Sequence, residues 1–232
     1  MAAAKDERLL EKAWDRLREY SVAQPLSDFL QRFRPGTKAY LVGGFLRDLV
    51  QADTSGSVAP PRDIDLIIDT DALEAVLKEA PGYRSGTPLG GTRWKPKATA
   101  IWLDIWQLRD TVWIKELDLP VTIDSFLDGV DLNIDRIALE LHTGEFFERN
   151  AREALASHTI EIDSRVRLQE LMYDEYARAL MASYKTGFGL SESLSKRIQS
   201  VDRAQLQRRA FERLRADDYA DEDIRSALKP LR

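Results

Sequence analysis

The feature that most constrains the fold is a pair of glycines, followed some twenty positions later by two aspartates separated by a single residue. The two segments read Tyr40-Leu-Val-Gly-Gly-Phe-Leu-Arg-Asp48 and Arg62-Asp-Ile-Asp-Leu-Ile-Ile68. Residues 38–42 are apolar and β-prone, whereas residues 45–50 have the pattern of the first turns of a helix. A Gly-Gly pair allows the chain to turn sharply between a strand and a helix. We therefore expect a strand, a tight turn and a helix, followed by a second strand.

Composition limits the classes of protein and of site. The 232 residues include 44% apolar residues and no cysteine, which is typical of a globular protein with one large or two small domains. The lack of cysteine excludes disulfides, thiolate nucleophiles and zinc-thiolate sites, and two histidines argue against a histidine-built metal centre, so any metal needs oxygen ligands. The net charge of −5 argues against a general polyanion binder. Without a long apolar run or a signal peptide, we expect a cytoplasmic protein with no membrane partner.

The pattern along the chain predicts an α+β protein in three parts. Residues 1–35 have helical periodicity and form an N-terminal helical extension, which we interpret as a lid or an interaction helix. Residues 36–150 form a mixed α/β head domain, with strands expected at 64–68, 98–108 and 111–114, and a glycine- and proline-rich mobile segment at 81–97. Residues 151–232 form a helical part, interrupted at Gly187-Phe-Gly189.

Three acids of the head form a candidate catalytic site. Asp63 and Asp65 lie two apart on one strand, so both carboxylates face the same side while Ile64 and Leu66 face the core. Two-metal phosphoryl transfer uses such an arrangement, because two ions about 4 Å apart hold the attacking and leaving oxygens. Asp104 is the only acid in the apolar strand Ile101-Trp-Leu-Asp-Ile-Trp-Gln-Leu108 and is the candidate third ligand. An acid at such a position costs stability unless something binds it.

Each of these features also has a structural interpretation. An Asp-x-Asp triplet is more often a solvated edge or turn, a Gly-Gly pair is usually a turn, and Asp104 could be an edge-strand acid paired with a lysine. Their combination and order favour a functional site. Rossmann and Walker motifs are absent, so the amides of Gly43 and Gly44, the following helix terminus and a metal would bind the phosphates.

The same segments resemble the class II nucleotidyltransferases, which are the bacterial CCA-adding tRNA nucleotidyltransferases and the poly(A) polymerases. Leu41-Val-Gly-Gly-Phe-Leu-Arg-Asp48 with Arg62-Asp-Ile-Asp65 is similar to their signature. Three later segments resemble, in order, their third-acid strand, their Asp-Phe-Thr-Ile-Asn segment and their neck helix: residues 104–109, 131–138 and 177–190. The resemblance implies a polymerase β-like head with a mixed sheet and a small all-helical neck, in a shortened form.

The resemblance also implies the roles of individual residues. Asp63, Asp65 and Asp104 would be the catalytic residues and would bind two Mg²⁺ ions. The nucleotide, ATP or CTP, would be bound by Gly43, Gly44, Arg47, Asp48, Arg109, Asp131, Asp135 and Arg178. The family's paired arginines are Gly129 and Val130 here, and Asp135 stands at its asparagine.

The base-reading template of the family can be placed on the neck helix in two registers. One register uses Asp174-Glu-Tyr-Ala-Arg178 with the two acids exchanged, and the other places Leu171, Met172 and Glu175 at the template positions. The alternative for Asp174 and Arg178 is an ion pair between residues i and i+4 of one helix.

The implied activity is a magnesium-dependent transfer of a nucleoside monophosphate from an NTP to an RNA 3′ end, with tRNA as the expected acceptor. The chain ends soon after the neck, where the family has a long helical body, so two alternatives stay open. They are transfer to a protein or small-molecule acceptor and a non-catalytic binding derivative. An arginine strip near the end of the chain either contacts RNA or is a solvated face; its members are Arg203, Arg208, Arg209, Arg213 and Arg215.

Overall fold

The computed structural model describes residues 4–55, 61–87, 89–97, 99–162 and 172–229. The chain divides into two compact units, which are Met1–Leu127 with Ile137–Arg149, and Asp128–Arg136 with Asn150–Arg232. Each unit is described by itself. Within the described residues, no helix is long and apolar enough to cross a membrane.

The first unit is built on one mixed sheet of eight strands. In chain order these are β1 (Ala4–Lys5), β2 (Lys38–Val42), β3 (Asp63–Asp69), β4 (Gly82–Gly86), β5 (Thr92–Pro96), β6 (Trp102–Gln107), β7 (Ile137–Glu140) and β8 (Glu145–Glu148). Their spatial order is β1-β8-β7-β2-β3-β6-β5-β4. Strands β3 and β6 run parallel, and the other described pairs of this sheet are antiparallel. The parallel pair therefore lies in the interior of the sheet.

Helices accompany this sheet between residues 7 and 129. They are α1 (Glu7–Glu19), α2 (Ala23–Leu30), α3 (Gly43–Ser55), α4 (Leu73–Glu79), α5 (Val112–Glu116) and α6 (Ile123–Gly129). The predicted N-terminal helices are confirmed, with Pro25 inside the first turn of α2, where a missing amide hydrogen costs nothing. Leu9, Ala13 and Leu17 are buried in this unit, so the apolar face of α1 is already covered.

The solvent exposure of strand β3 differs along its length, and the end that carries Asp63 and Asp65 is accessible. Asp63 and Asp65 are partly exposed, whereas Ile67, on the same face by alternation, is buried in an apolar cluster. The other buried members of that cluster are Tyr40, Val42, Leu108, Ile114, Ile123, Leu127 and Ala138. One face of the central strands is thus covered at one end and open at the end that carries the aspartates.

Two sequence predictions for this unit are corrected by the structure. Residues 111–114 were expected to form a strand, but they begin the one-turn helix α5, because the Leu108 carbonyl accepts hydrogen bonds from both the amide and the hydroxyl of Thr111. The segment 81–97, expected to be mobile, contains the antiparallel pair β4 and β5. Trp94 anchors this pair, because its ring is buried against Phe29 with the ring centroids 4.9 Å apart.

The second unit is mainly helical. Its elements are α7 (Ala151–Ala156), β9 (Thr159–Ile160), α8 (Met172–Thr186), β10 (Gly189–Leu190), α9 (Glu192–Ser200), α10 (Arg203–Ala216) and α11 (Asp221–Ala227). Helix α8 packs against α10 and α11, while β9 and β10 form a short parallel pair. The predicted break after α8 is confirmed, with Gly187 at φ +72°. The fold as a whole is α+β, as the sequence predicts.

Candidate active site

The turn between β2 and α3 lies directly against the aspartate strand. Gly43 has φ +70°, a left-handed conformation that L side chains rarely adopt. A Cβ atom on Gly43 would lie 2.3 Å from Oδ2 of Asp65, well inside van der Waals contact. Glycine is therefore required for the conformation of the turn and for the close approach of the backbone to this carboxylate.

A guanidinium group lies at the start of the same helix. A Cβ atom on Gly44 would be 3.2 Å from Nη2 of Arg47, so the arginine folds back over the first turn. Arg47 is largely buried and donates hydrogen bonds to Oδ1 of Asp48, from Nε at 2.9 Å and from Nη2 at 2.8 Å. The amides of a helix N-terminus and its dipole favour an anion, and Arg47, whose charge is partly offset by Asp48, places a guanidinium group beside them. The helix start is suited to binding phosphate.

The two aspartates of β3 share one face of the strand, as the sequence predicts. Asp63 accepts hydrogen bonds from the adjacent Arg62 at 2.8 and 2.7 Å. Asp65 pairs in register with Val42 on one side and with Asp104 on the other. The strand register therefore brings Gly43, Asp63, Asp65 and Asp104 into one neighbourhood, although Asp104 is 39 residues further along the chain than Asp65.

Asp104 is buried and binds an arginine. Its strand, β6, lies between β3 and β5 and is not at the sheet edge, so the edge-strand alternative is wrong. Arg93 on β5 pairs in register with Asp104 and donates from Nε to Oδ1 and from Nη2 to Oδ2, both at 2.8 Å. Nη2 of Arg93 is also 3.6 Å from Oδ2 of Asp63. The guanidinium group supplies the charge that a buried carboxylate requires.

The carboxylate oxygens of these aspartates allow a test of whether the site suits a metal ion. The carboxylates of Asp63 and Asp65 are the hard oxygen ligands that Mg²⁺ prefers, so they fit such an ion chemically. Both oxygens of Asp104 accept hydrogen bonds from Arg93, which neutralises this carboxylate. Among the described residues, no group of three acidic or histidine side chains is placed to hold a metal ion. The predicted role of Asp104 as a third metal ligand stays a prediction.

Arg109, which the resemblance places in the nucleotide site, lies elsewhere in the first unit. It lies in the 3₁₀ turn Leu108–Asp110 beyond the end of β6, and the strand steps from Asp104 to Gln107 alone extend about 10 Å. Its Nη2 is 2.7 Å from Oδ1 of Asp71, and both side chains are more than half exposed. The structure therefore does not bring Arg109 to the acid cluster.

The remaining predicted residues, Asp131, Asp135 and Arg178, belong to the second unit, where Asp131 and Arg178 contact each other. Asp131, which is buried, accepts a hydrogen bond from Nη1 of Arg178, whose side chain is about one third exposed. The negative charge of Asp131 raises the pKa of the Arg178 guanidinium, and Asp217 and Asp135 add smaller contributions in the same direction. Asp135 lies in the 3₁₀ turn Asn133–Asp135. Arg178 is thus a permanent cation held by acids of its own unit.

The neck helix does not contain the ion pair between Asp174 and Arg178 that was one of the two interpretations. Asp174 instead accepts a hydrogen bond from Nη2 of Arg209 on α10, at 2.9 Å. In the second template register, Glu175 is buried within α8, and Leu171 lies outside the described residues.

Much of the C-terminal arginine strip is also ion-paired. Arg209 pairs with Asp174, Arg213 pairs with Asp217 at 3.2 Å, and Arg215 binds Asp221 through two hydrogen bonds. These pairs reduce the positive charge that the strip presents to a polyanion. They favour the interpretation of the strip as a solvated face over a phosphate-binding track.

Arg93 is the main site residue that sequence reasoning missed. It lies in a segment rich in glycine and proline, and its partner is eleven positions away on another strand. The available signal was the lone acid in the apolar strand, which required a cation. Sequence reasoning assigned that cation to a metal ion or, in the structural interpretation, to a lysine, whereas the structure provides the guanidinium group of Arg93.

Comparisons with known proteins agree with this architecture. No protein-family model and no curated protein matches the sequence. Among solved structures, the chain is similar to a Thermotoga maritima CCA-adding enzyme complexed with tRNA, with 18% identity and a TM-score of 0.60. That match covers 99% of this chain and 50% of the enzyme.

Two further solved structures show the same relationship. A CCA-adding enzyme in complex with ATP gives a TM-score of 0.58 at 18% identity, over 99% of this chain and 51% of the enzyme. A Bacillus stearothermophilus CCA-adding enzyme in complex with CTP gives a TM-score of 0.54 at 18% identity, over 89% of this chain and 48% of the enzyme. The chain spans about half the length of these enzymes, and over that half it has the fold of a CCA-adding nucleotidyltransferase.

Proposed function

We propose that this protein is a magnesium-dependent nucleotidyltransferase that moves a nucleoside monophosphate from an NTP to the 3′ hydroxyl of an RNA and releases pyrophosphate. The observation that carries the proposal is the contact between the left-handed turn at Gly43 and the carboxylate of Asp65. Because of this contact, the start of a 13-residue helix, which favours an anion, lies beside acids that suit a divalent cation.

The residues of the site have distinct roles in this proposal. The amides of Gly43 and Gly44 bind the triphosphate, and Arg47 neutralises part of its charge. Asp63 and Asp65 hold Mg²⁺, which when bound offsets the phosphate charge that develops during transfer. The turn follows β2, which pairs with β3 in the sheet, so turn and aspartates would together orient the α-phosphate for in-line attack by the acceptor hydroxyl.

The nucleotide and the acceptor are proposed from the similar enzymes. Those enzymes were solved with ATP, CTP or tRNA, so ATP or CTP is the proposed donor and a tRNA 3′ end the proposed acceptor. Because the chain spans about half of their length, we treat the acceptor as the point that requires a direct test.

That test is incubation of the purified protein with each α-labelled NTP, Mg²⁺ and total RNA, followed by a denaturing gel. Label on RNA of tRNA size, absent with the Asp63→Ala variant, is the expected result. Label on protein or on a small molecule would instead establish a different acceptor for the same chemistry.

A second candidate is a protein that binds an NTP without transferring it. The hydrogen bonds from Arg93 to both oxygens of Asp104 favour it, because that carboxylate is then not available to help activate a hydroxyl. This candidate predicts saturable NTP binding by calorimetry together with no label on RNA, protein or small molecules.

A further inference from the structure

Arg93 occupies the position between two carboxylates that a second metal ion would need. Its Nη2 atom is 2.8 Å from Oδ2 of Asp104 and 3.6 Å from Oδ2 of Asp63. A Mg²⁺ ion shared by two carboxylate oxygens lies about 2.1 Å from each of them. An ion between Asp63 and Asp104 would therefore coincide with the guanidinium group and be repelled by its charge.

The pair of Arg93 and Asp104 is also difficult to separate. The side chains of Arg93 and Asp104 are 12% and 7% exposed. If they separated, water could therefore replace few of the hydrogen bonds that they lose. Two parallel hydrogen bonds fix the guanidinium plane against the carboxylate. Removing the arginine from this carboxylate would leave the buried charge of Asp104 without this cation, which is strongly unfavourable.

The hairpin that carries Arg93 is anchored on both sides of this residue. Trp94, the next residue, is buried against Phe29. Gly91 lies so close to Trp106 that a Cβ atom there would be 2.3 Å from the indole Nε1. The backbone of β5 is therefore held against β6, and the guanidinium group stays in register with Asp104.

We infer that Arg93 takes the place of the second metal ion, so that the site binds a single divalent cation through Asp63 and Asp65. This inference rests on the proposed function. Arg93 is in this sense a positioning residue, because it holds Asp104 and supplies a fixed positive charge beside the single-metal site.

The test is a titration of the full-length protein with Mn²⁺ in the presence of a non-hydrolysable α,β-methylene NTP, with free Mn²⁺ measured by electron paramagnetic resonance. The natural sequence is expected to bind one Mn²⁺ per chain. Arg93→Ala is expected to bind two, because Asp104 then becomes available as a ligand. Arg93→Lys is expected to retain one, because an ammonium group still neutralises Asp104.

Two matched variants separate this effect from general charge removal. Arg84→Ala removes an exposed arginine from the partner strand β4 of the same hairpin and is expected to leave one bound ion. Arg93→Ala combined with Asp104→Ala is also expected to bind one ion, because the third carboxylate is then missing.

Several outcomes would overturn the inference. Two bound ions in the natural sequence would do so while leaving nucleotide transfer intact, and so would a single ion in a folded Arg93→Ala variant. If that variant fails to fold, the number of Mn²⁺ ions bound by Asp104→Ala decides whether Asp104 is a metal ligand. An unchanged single ion supports the inference, and loss of an ion shows that Asp104 is a metal ligand. No bound Mn²⁺ in the natural sequence, together with no label transfer, would instead overturn the proposed function.

Discussion

The two units each contain a cluster of acids and arginines, and the clusters differ in how their charges are arranged. In the first unit, Asp63, Asp65 and Asp104 lie together on two paired strands, where Arg62 contacts Asp63 and Arg93 contacts Asp104. In the second unit, Arg178 is bound by Asp131, and further acids add to the field around it. Asp63 and Asp65 are partly exposed beside the helix start at Gly43, whereas Asp131 is buried and bound by Arg178. We therefore propose that nucleotide transfer belongs to the first cluster and that the pair of Arg178 and Asp131 contributes mainly to stability.

Removal of a carboxylate from β3 is the most direct way to break this comparison. Asp65→Ala is expected to reduce nucleotide transfer by at least about 10³-fold, because it removes an electrostatic group at the reacting phosphate. Stability should stay the same or rise slightly, because the variant relieves repulsion among neighbouring acids. Transfer rates and thermal unfolding measure the two effects.

Asp69→Ala is the matched control, because Asp69 is an exposed acid on the same strand and the same face. It is expected to leave transfer unchanged. Loss of folding in Asp65→Ala would show that this aspartate is a structural residue.

The turn at Gly43 gives the next largest expected effect. Gly43→Ala must adopt an unfavourable backbone conformation, at a cost of about 1–2 kcal/mol, and its Cβ must also displace the carboxylate of Asp65. We expect NTP affinity and transfer to fall by about 10²-fold, because misplaced groups lose their orientation. Calorimetric NTP binding and transfer rates measure this.

Gly36→Ala is a control that separates the cost of the backbone conformation from the cost of displacing Asp65. Gly36 has φ +88°, but a Cβ atom there meets nothing within 4 Å. The variant is expected to lose similar stability and to keep NTP binding. Equal losses of NTP binding in both variants would show that the contact with Asp65 is unimportant.

These first predictions concern the part of the site that could be derived from sequence. The spacing of Gly43, Asp63 and Asp65 is local, and the alternation of a strand determines which side chains share a face. The pairing of Arg93 with Asp104 could not be derived, because it depends on which strands are neighbours and on their register. The helix at residues 112–116 was misread as a strand because a single turn of β-branched and aromatic residues has no distinctive period.

The pair of Arg178 and Asp131 tests the second cluster. Arg178→Ala leaves the buried carboxylate of Asp131 without its cation, so the free energy of unfolding is expected to fall by about 1–3 kcal/mol. This is less than for a fully buried pair, because one third of the Arg178 side chain is exposed. Denaturant unfolding measures the loss.

The ratio of ATP to CTP use in the same variant tests the base-reading role that the resemblance implies. An altered ratio would support that role, and an unaltered ratio would leave Arg178 as a structural residue. Arg225→Ala is the control, because Arg225 forms an exposed pair with Asp221 that is worth little.

Glu140 gives the smallest effect and concerns an acid that, among the described residues, is bound by hydrogen-bond donors and not by an arginine. Burial disfavours its charge, but hydrogen bonds from Thr143 and His142 outweigh this and hold the pKa of Glu140 below its ordinary value of 4.5. Its stabilisation is therefore complete above that value and is lost as the pH falls through the lower folded-state pKa.

Glu140→Gln is expected to lower the free energy of unfolding at pH 7 by about 1 kcal/mol. The free energy of unfolding of this variant should also decrease less as the pH falls. Unfolding measured between pH 3 and pH 7 tests this. Glu192→Gln, at an exposed helical pair with Lys196, is expected to change neither quantity appreciably. An acid dependence equal to that of the natural sequence would show that Glu140 does not contribute.

The sequence by itself determined the α+β class, the glycine turn, the shared face of Asp63 and Asp65 and the helical character of the C-terminal part. All of these depend on neighbours within a few residues, where backbone geometry and side-chain period are decisive. Only the tertiary structure decided that Arg93 binds Asp104, that Arg109 lies apart from the cluster of Asp63, Asp65 and Asp104, and that Arg178 binds Asp131. Those outcomes depend on strand order, register and helix packing, which bring together residues that are distant in the chain.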